Sequence, residues 1–140
     1  MTIIQRFRHC DRGTAALEFA IISPIFILVL MTLIAYGIYL SAAHSVQQIA
    51  ANAARTAVAG VTEAEREQLV NTYITTSTLN DAILKRSKFT VTVSPDPANV
   101  NQFTVSLIYD AQDLPIWNLY SFAMPSKTIT RTATIRMGGI

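Results

Sequence analysis

Residues 19–40 read FAIISPIFILVLMTLIAYGIYL, a run of 22 positions without a charge. At ~1.5 Å of rise per residue this helix is about 33 Å long, enough for a hydrocarbon core of ~30 Å. One membrane span is therefore expected, and it divides the chain into parts that face different compartments. The composition agrees, with 51% hydrophobic and only 14% charged residues in a chain of 140, unusual for a soluble domain. A cleaved secretory signal would have an apolar core of ~7 to 15 residues and a small-residue motif close behind it; this run is longer and lacks a clear motif of that kind.

Arg6, Arg8 and Arg12 precede the span, and the next Lys or Arg is Arg55. The positive-inside rule then puts the N-terminus in the cytoplasm and the C-terminal hundred residues outside. That outer part carries eight basic side chains against seven acidic ones. Its near neutrality gives no argument for nucleic-acid binding, despite a pI of about 8.9 for the whole chain,. The single cysteine, Cys10, falls on the cytoplasmic side, so packing or partners must stabilise the outer part without a disulfide.

Residues 41–59, SAAHSVQQIAANAARTAVA, hold no proline or glycine and are rich in alanine, so the helix is expected to continue beyond the membrane until Gly60 stops it. Val46, Ile49, Ala50, Ala53 and Ala57 share one face, with Gln48, Asn52 and Arg55 opposite,. Thr62 followed by Glu65 reads as a capping box opening a second helix, in which Leu69, Val70, Tyr73 and Ile74 recur at helical spacing,. Three alternating segments then predict strands: Phe89, Val91, Val93; Phe103, Val105, Leu107, Tyr109; and Ile129, Ala133, Ile135 between threonines,. SPDPANVN, with Pro95 and Pro97, predicts a hairpin-like loop. DLPIWNLYSFAMP predicts a short helix capped by Asp113,.

The expected fold class is α+β: a long N-terminal transmembrane and amphipathic helix, and a small head with a second helix and an antiparallel sheet of about three strands, packed on the amphipathic half. The divisions are 1–13, a cytoplasmic basic leader; 14–40, the transmembrane helix; 41–60, its amphipathic extension; and 61–140, the extracytoplasmic head.

Catalytic chemistry is hard to build from this inventory. Beyond residue 60 there is no His and no Cys, which excludes Ser-His and Cys-His arrangements within the head and removes the usual zinc ligands. The five glycines form no phosphate-cradling cluster,. His9, Cys10 and Asp11 are consecutive and cannot surround one ion without further ligands. His44 reads as a solvated helix residue, Asp110 and Asp113 as a solvated loop at a strand end, and Lys85, Arg86 and Lys88 as a solvated basic end. Trp117, Tyr120 and Phe122 read as core aromatics. The expectation is a non-enzyme with no metal and no cofactor.

Glu18 stands apart, because an acid in or near hydrocarbon costs ~2.5 to 3.5 kcal/mol at the membrane centre and is a functional candidate by default. In a helix beginning near Thr14 it would close the first turn, where the helix dipole favours negative charge by roughly 0.3 to 1 kcal/mol.

The pattern around it, Arg12-Gly13 followed by Thr14-Ala15-Ala16-Leu17-Glu18-Phe19 and an unbroken apolar run, resembles the processing site of type IV prepilins. The longer string RGTAALEFAIISP, with AANAARTAVAG after the span, is similar to TadE-like proteins, the minor pseudopilins of Flp/Tad pili. The resemblance implies cleavage by a membrane prepilin peptidase between Gly13, the last leader residue, and Thr14, the new N-terminus. It makes Glu18 the fifth mature residue, pairing with the N-terminal amine of a neighbouring subunit in an assembly register, and Phe19 the aromatic of the Tad variant. Gly13, poor in helix, would enter the protease in extended form. Pro24 cannot donate to the carbonyl of Ala20 and is expected to kink or loosen the helix.

The implied partners are the peptidase, other pilins and pseudopilins, the inner-membrane assembly platform and membrane lipid, without nucleic acid. The implied location is the bacterial inner membrane, single-pass, with possible incorporation in the pilus. TadE-like and TadF-like types stay open at this point. So does a signal-anchored extracytoplasmic binding protein that is not processed.

Overall fold

The computed structural model describes residues 11–77, 83–118 and 125–137. Helix α1 spans Asp11–Ala57 without interruption, 47 residues including Pro24, or about 70 Å. A tight turn leads to α2, Glu63–Thr76. Strands β1 (Phe89–Asp96), β2 (Asn99–Asp110) and β3 (Thr128–Arg136) form an antiparallel sheet in the order β1-β2-β3. The fold is α+β, as the periodicities predict.

The alternation along β2 sets the core. Phe103, Val105, Leu107 and Tyr109 point to one face and are essentially inaccessible, and each apolar side chain so enclosed is worth roughly 1.5 to 3 kcal/mol. That face is covered by the second half of α1, where Val46, Ile49, Ala50, Ala53 and Ala57 are buried, and by Val70 and Ile74 of α2. Small alanine side chains let the helix lie close against the sheet. The opposite face carries Thr90, Thr92, Thr130, Thr132 and Thr134, all exposed. In register, Phe89 faces Tyr109 and Val93 faces Val105, while Leu107 faces Arg131 and Tyr109 faces Ile129. The Phe89 and Tyr109 rings meet at a tilt of 47° with centroids 4.9 Å apart.

Thr62 and Glu65 form the capping box: the Glu65 amide donates to Thr62 Oγ1 at 3.2 Å and Thr62 N–H donates to Glu65 Oε2 at 3.1 Å. Two local expectations change. The strands run further into SPDPANVN than the sequence implies, leaving only Pro97 and Ala98 between them, because Asp96 Oδ1 accepts the Ala98 amide at 2.8 Å and closes the turn. Pro95 is tolerated because β1 is an edge strand,. Among the described residues of the segment after β2 one 3-10 turn forms, Pro115–Asn118. Asp113 does not cap it, because its carboxylate is drawn to Lys85 and Lys88. The helix ends at Ala57, just before Gly60 as expected; a Cβ on Gly60 would lie 2.8 Å from both the backbone nitrogen and the Cγ of Arg66, so close approach requires glycine there.

Candidate assembly and anchoring site

The candidate residues all lie on α1. The helix begins at Asp11, so Gly13 and Thr14 lie within its first turn, and the bond between them is helical, not extended. A helix end lacks intrahelical partners for its first four N–H groups and opens readily, so a protease would meet this bond after local unwinding. A Cβ at Gly13 would meet nothing within 4 Å, so packing does not demand glycine there. Glu18 is the eighth helical residue of the intact chain, beyond the first turn to which the dipole effect is confined. It becomes a first-turn residue only if the helix starts at Thr14.

Glu18 is exposed and has no hydrogen-bond or ion-pair partner among the described side chains. Its neighbour Phe19 is 73% exposed, and Leu17, Ile21, Ile22, Ile25 and Phe26 are similarly bare. Thr14 lies four residues before Glu18, on the same helix face. Pro24 does not end the helix. Thr32 places its hydroxyl on the Leu28 carbonyl at 2.8 Å, which satisfies the polar group without a partner from outside the helix. From residue 13 to residue 34 no side chain of α1 is buried; Ala35 is the first to be enclosed. The bare segment is thus a helix of about 33 Å, with a mean hydropathy of 2.5 in its most apolar window. A single N-terminal helix of this length and character suggests a membrane anchor.

The head grips the remainder of the helix. Tyr39 donates its hydroxyl to the Ser126 carbonyl at 3.3 Å, and Gln47 Nε2 donates to the Thr132 carbonyl at 3.2 Å. β3 therefore runs in the same sense as α1, with its first residues nearest the bare segment.

At that end of the sheet, Lys88 Nζ lies 3.2 Å from Asp110 and 3.7 Å from Asp113, and Lys85 Nζ lies 2.8 Å from Asp113. The Gln112 amide and then Lys88 hold the Asp110 carboxyl below its ordinary value, and Lys85 does the same for Asp113. Hydrogen bonding and attraction to Asp110 raise Lys88. Neither acid is poised as a general acid, and Arg86 donates to the Thr75 carbonyl. The acids and lysines that the sequence left as separate solvated groups are thus one clamp between the chain entering β1 and the chain leaving β2. His44 is exposed, as expected. Trp117 is partly buried, donates to the Ala111 carbonyl at 2.6 Å and lies under Lys127 Nζ, 5.6 Å from its ring centre. Arg6, Arg8, His9, Cys10, Tyr120 and Phe122 lie outside the described residues.

At the far end, a recess of about 440 Å³ is lined by Gly60, Val61, Glu65, Gln68, Leu69 and neighbouring residues. Its one carboxylate, Glu65, is occupied in the capping box, with amides from Thr62 and Val61 holding it below its ordinary value. Sequence reasoning missed Arg66, buried on the inner face of α2 beside Gly60. Its spacing of four from Val70 and eight from Ile74 was the available signal.

Residues 13–55 match the family model described as TadE-like protein, 43 of the 140 residues, running from Gly13 to the last turn of α1. No curated protein and no solved structure matches the chain. The match coincides with the segment that carries the sequence resemblance.

Proposed function

We propose, on the premise of a TadE-like helix from Gly13 to Arg55, that this protein is a non-enzymatic minor pseudopilin of a Flp/Tad pilus system. It is cleaved between Gly13 and Thr14 by a prepilin peptidase and takes part in pilus assembly, adherence and secretion. The N-terminus faces the cytoplasm of a bacterial inner membrane, the head lies outside, and the partners are other pilins and the assembly platform.

One observation carries the reading: a family match that begins at Gly13 lies on a helix whose first 22 matched residues are unburied and hold one unpaired acid, Glu18. An acid in hydrocarbon is costly unless paired. Cleavage would create the amine that can pair with it, and would remove Arg6, Arg8 and Arg12, the charges that resist withdrawal of the helix from the cytoplasmic leaflet.

The test is co-expression with a matching peptidase, followed by intact mass and N-terminal sequencing. A mature chain starting at Thr14 is expected. A chain that keeps Met1 under those conditions overturns the reading and behaves as a simple anchored binding protein.

A further inference from the structure

The end of the head nearest the bare helix has a chemistry of its own. If residues 13–34 cross the bilayer, they use the whole uncovered length of α1, about 33 Å, because Ala35 is already enclosed by the head. The head is therefore held against the membrane surface, with the start of β3 facing it, since Ser126 meets Tyr39.

Two cations are presented there. Lys127 and Arg131 meet no carboxylate among the described residues: the nearby acids Asp110 and Asp113 are taken by Lys88 and Lys85. Arg131 interrupts the inward-facing apolar row Ile129, Ala133, Ile135, and opens onto a groove of about 250 Å³ between β3 and α1, lined also by Leu40, Ala43, His44 and Gln47. An inward charge on an edge strand deters strand pairing wherever it stands. This one, however, stands beside Leu40, where the apolar run ends. Trp117, under Lys127, and Tyr39 supply the amphipathic rings typical of a membrane–water boundary,. At the opposite end Glu63, Glu65 and Glu67, in the first turns of α2, are balanced by Arg55, Arg66 and Arg136, whereas at the end toward the bilayer Lys85, Lys88, Lys127 and Arg131 outnumber Asp110 and Asp113, so the head's excess positive charge faces the membrane.

We infer that this rim binds anionic glycerophospholipid headgroups of the bilayer that α1 spans, with Lys127 and Arg131 on the phosphates and Arg131 reaching them from the groove beside Leu40. The inference rests on the membrane-anchor reading but not on cleavage. A headgroup contact of this kind sets the tilt and rotation of the head on the membrane.

Trp117 is the only tryptophan and reports on the rim directly. The full-length chain is reconstituted in mixed phosphatidylcholine–phosphatidylglycerol vesicles in which either one lipid or the other carries brominated acyl chains, and quenching of Trp117 emission is compared. Brominated phosphatidylglycerol should quench in preference to brominated phosphatidylcholine by about fivefold or more, the factor expected for each basic side chain near an anionic surface. Lys127→Gln/Arg131→Gln should bring the two curves together, with an unchanged far-UV spectrum showing that the head is folded. Equal quenching by both lipids in the native chain, quenching by neither, or a preference that persists in the folded double variant overturns the proposal. The vesicles contain no peptidase, so failure here is distinct from failure of processing at Thr14.

Discussion

The guanidinium of Arg66 lies 4.8 Å from the centre of the Phe103 ring, joining the inner face of α2 to the middle strand. Its Nε donates to the Gly60 carbonyl at 3.0 Å, and its Nη2 to the Val61 carbonyl at 3.2 Å and the Met137 sulfur at 2.8 Å. Arg66 thus ties the end of α1, the start of α2 and the end of β3 together. Arg66→Ala strands two carbonyls and removes the cation from the ring, and should destabilise the head by about 3 kcal/mol. Arg66→Lys should restore only part of this, because an ammonium lacks the planar fork. Unfolding of the full chain in micelles, followed by near-UV circular dichroism, measures both; an unchanged transition for Arg66→Ala would show that the contact contributes nothing.

Gly60 and Gly13 should respond in opposite ways to alanine. A methyl group at Gly60 would sit 2.8 Å from the Arg66 backbone, so Gly60→Ala should cost about 1 to 3 kcal/mol through overpacking. Gly13→Ala meets nothing within 4 Å and should leave the unfolding transition of the head in place. The same two proteins tested against a peptidase should show cleavage lost in the Gly13 variant only.

The lysine–aspartate clamp gives a pH dependence of known sign. The carboxyls of Asp110 and Asp113 titrate below the ordinary 3.8 in the folded chain. Their contribution is therefore complete above that value and is lost as pH falls through the lowered one. Lys88 titrates above the ordinary 10.5, so its contribution is complete below that value and is lost as pH rises past the raised one. Melting temperature measured against pH should fall below about pH 4, and Lys85→Gln/Lys88→Gln should flatten this acid limb. An acid limb identical in the variant would assign the loss to other carboxyls.

Glu18→Ala removes the exposed acid from the bare helix without touching the head. Insertion and head stability should be unchanged, and cleavage at Thr14 should proceed, whereas co-assembly with partner pilins should be lost. Pilus formation at the native level by this variant, scored by microscopy and shear fractionation, would count against a register role for the carboxylate.

Sequence by itself determined those features whose causes lie within a few residues of one another. The apolar run of 19–40 declares a helix long and apolar enough for a membrane anchor, and Thr62 and Glu65 declare a helix start because each satisfies the other's backbone. The alternation of Phe103, Val105, Leu107 and Tyr109 declares a strand with one buried face. Gly13, Thr14, Glu18 and Phe19 stand together in a single string, and the roles given to them rest on the resemblance that string carries.

What only the tertiary structure decided depends on groups far apart in the chain. Arg66 meets Met137 across 71 positions, and Lys85 meets Asp113 across 28. No local period records such pairs, and a charged side chain on a helix reads as solvated until the fold encloses it. The same holds for the point at which the head first covers α1. Ala35 looks like membrane span by composition, yet it is buried in the core of the head, because burial is settled by what packs against a side chain and not by its own polarity.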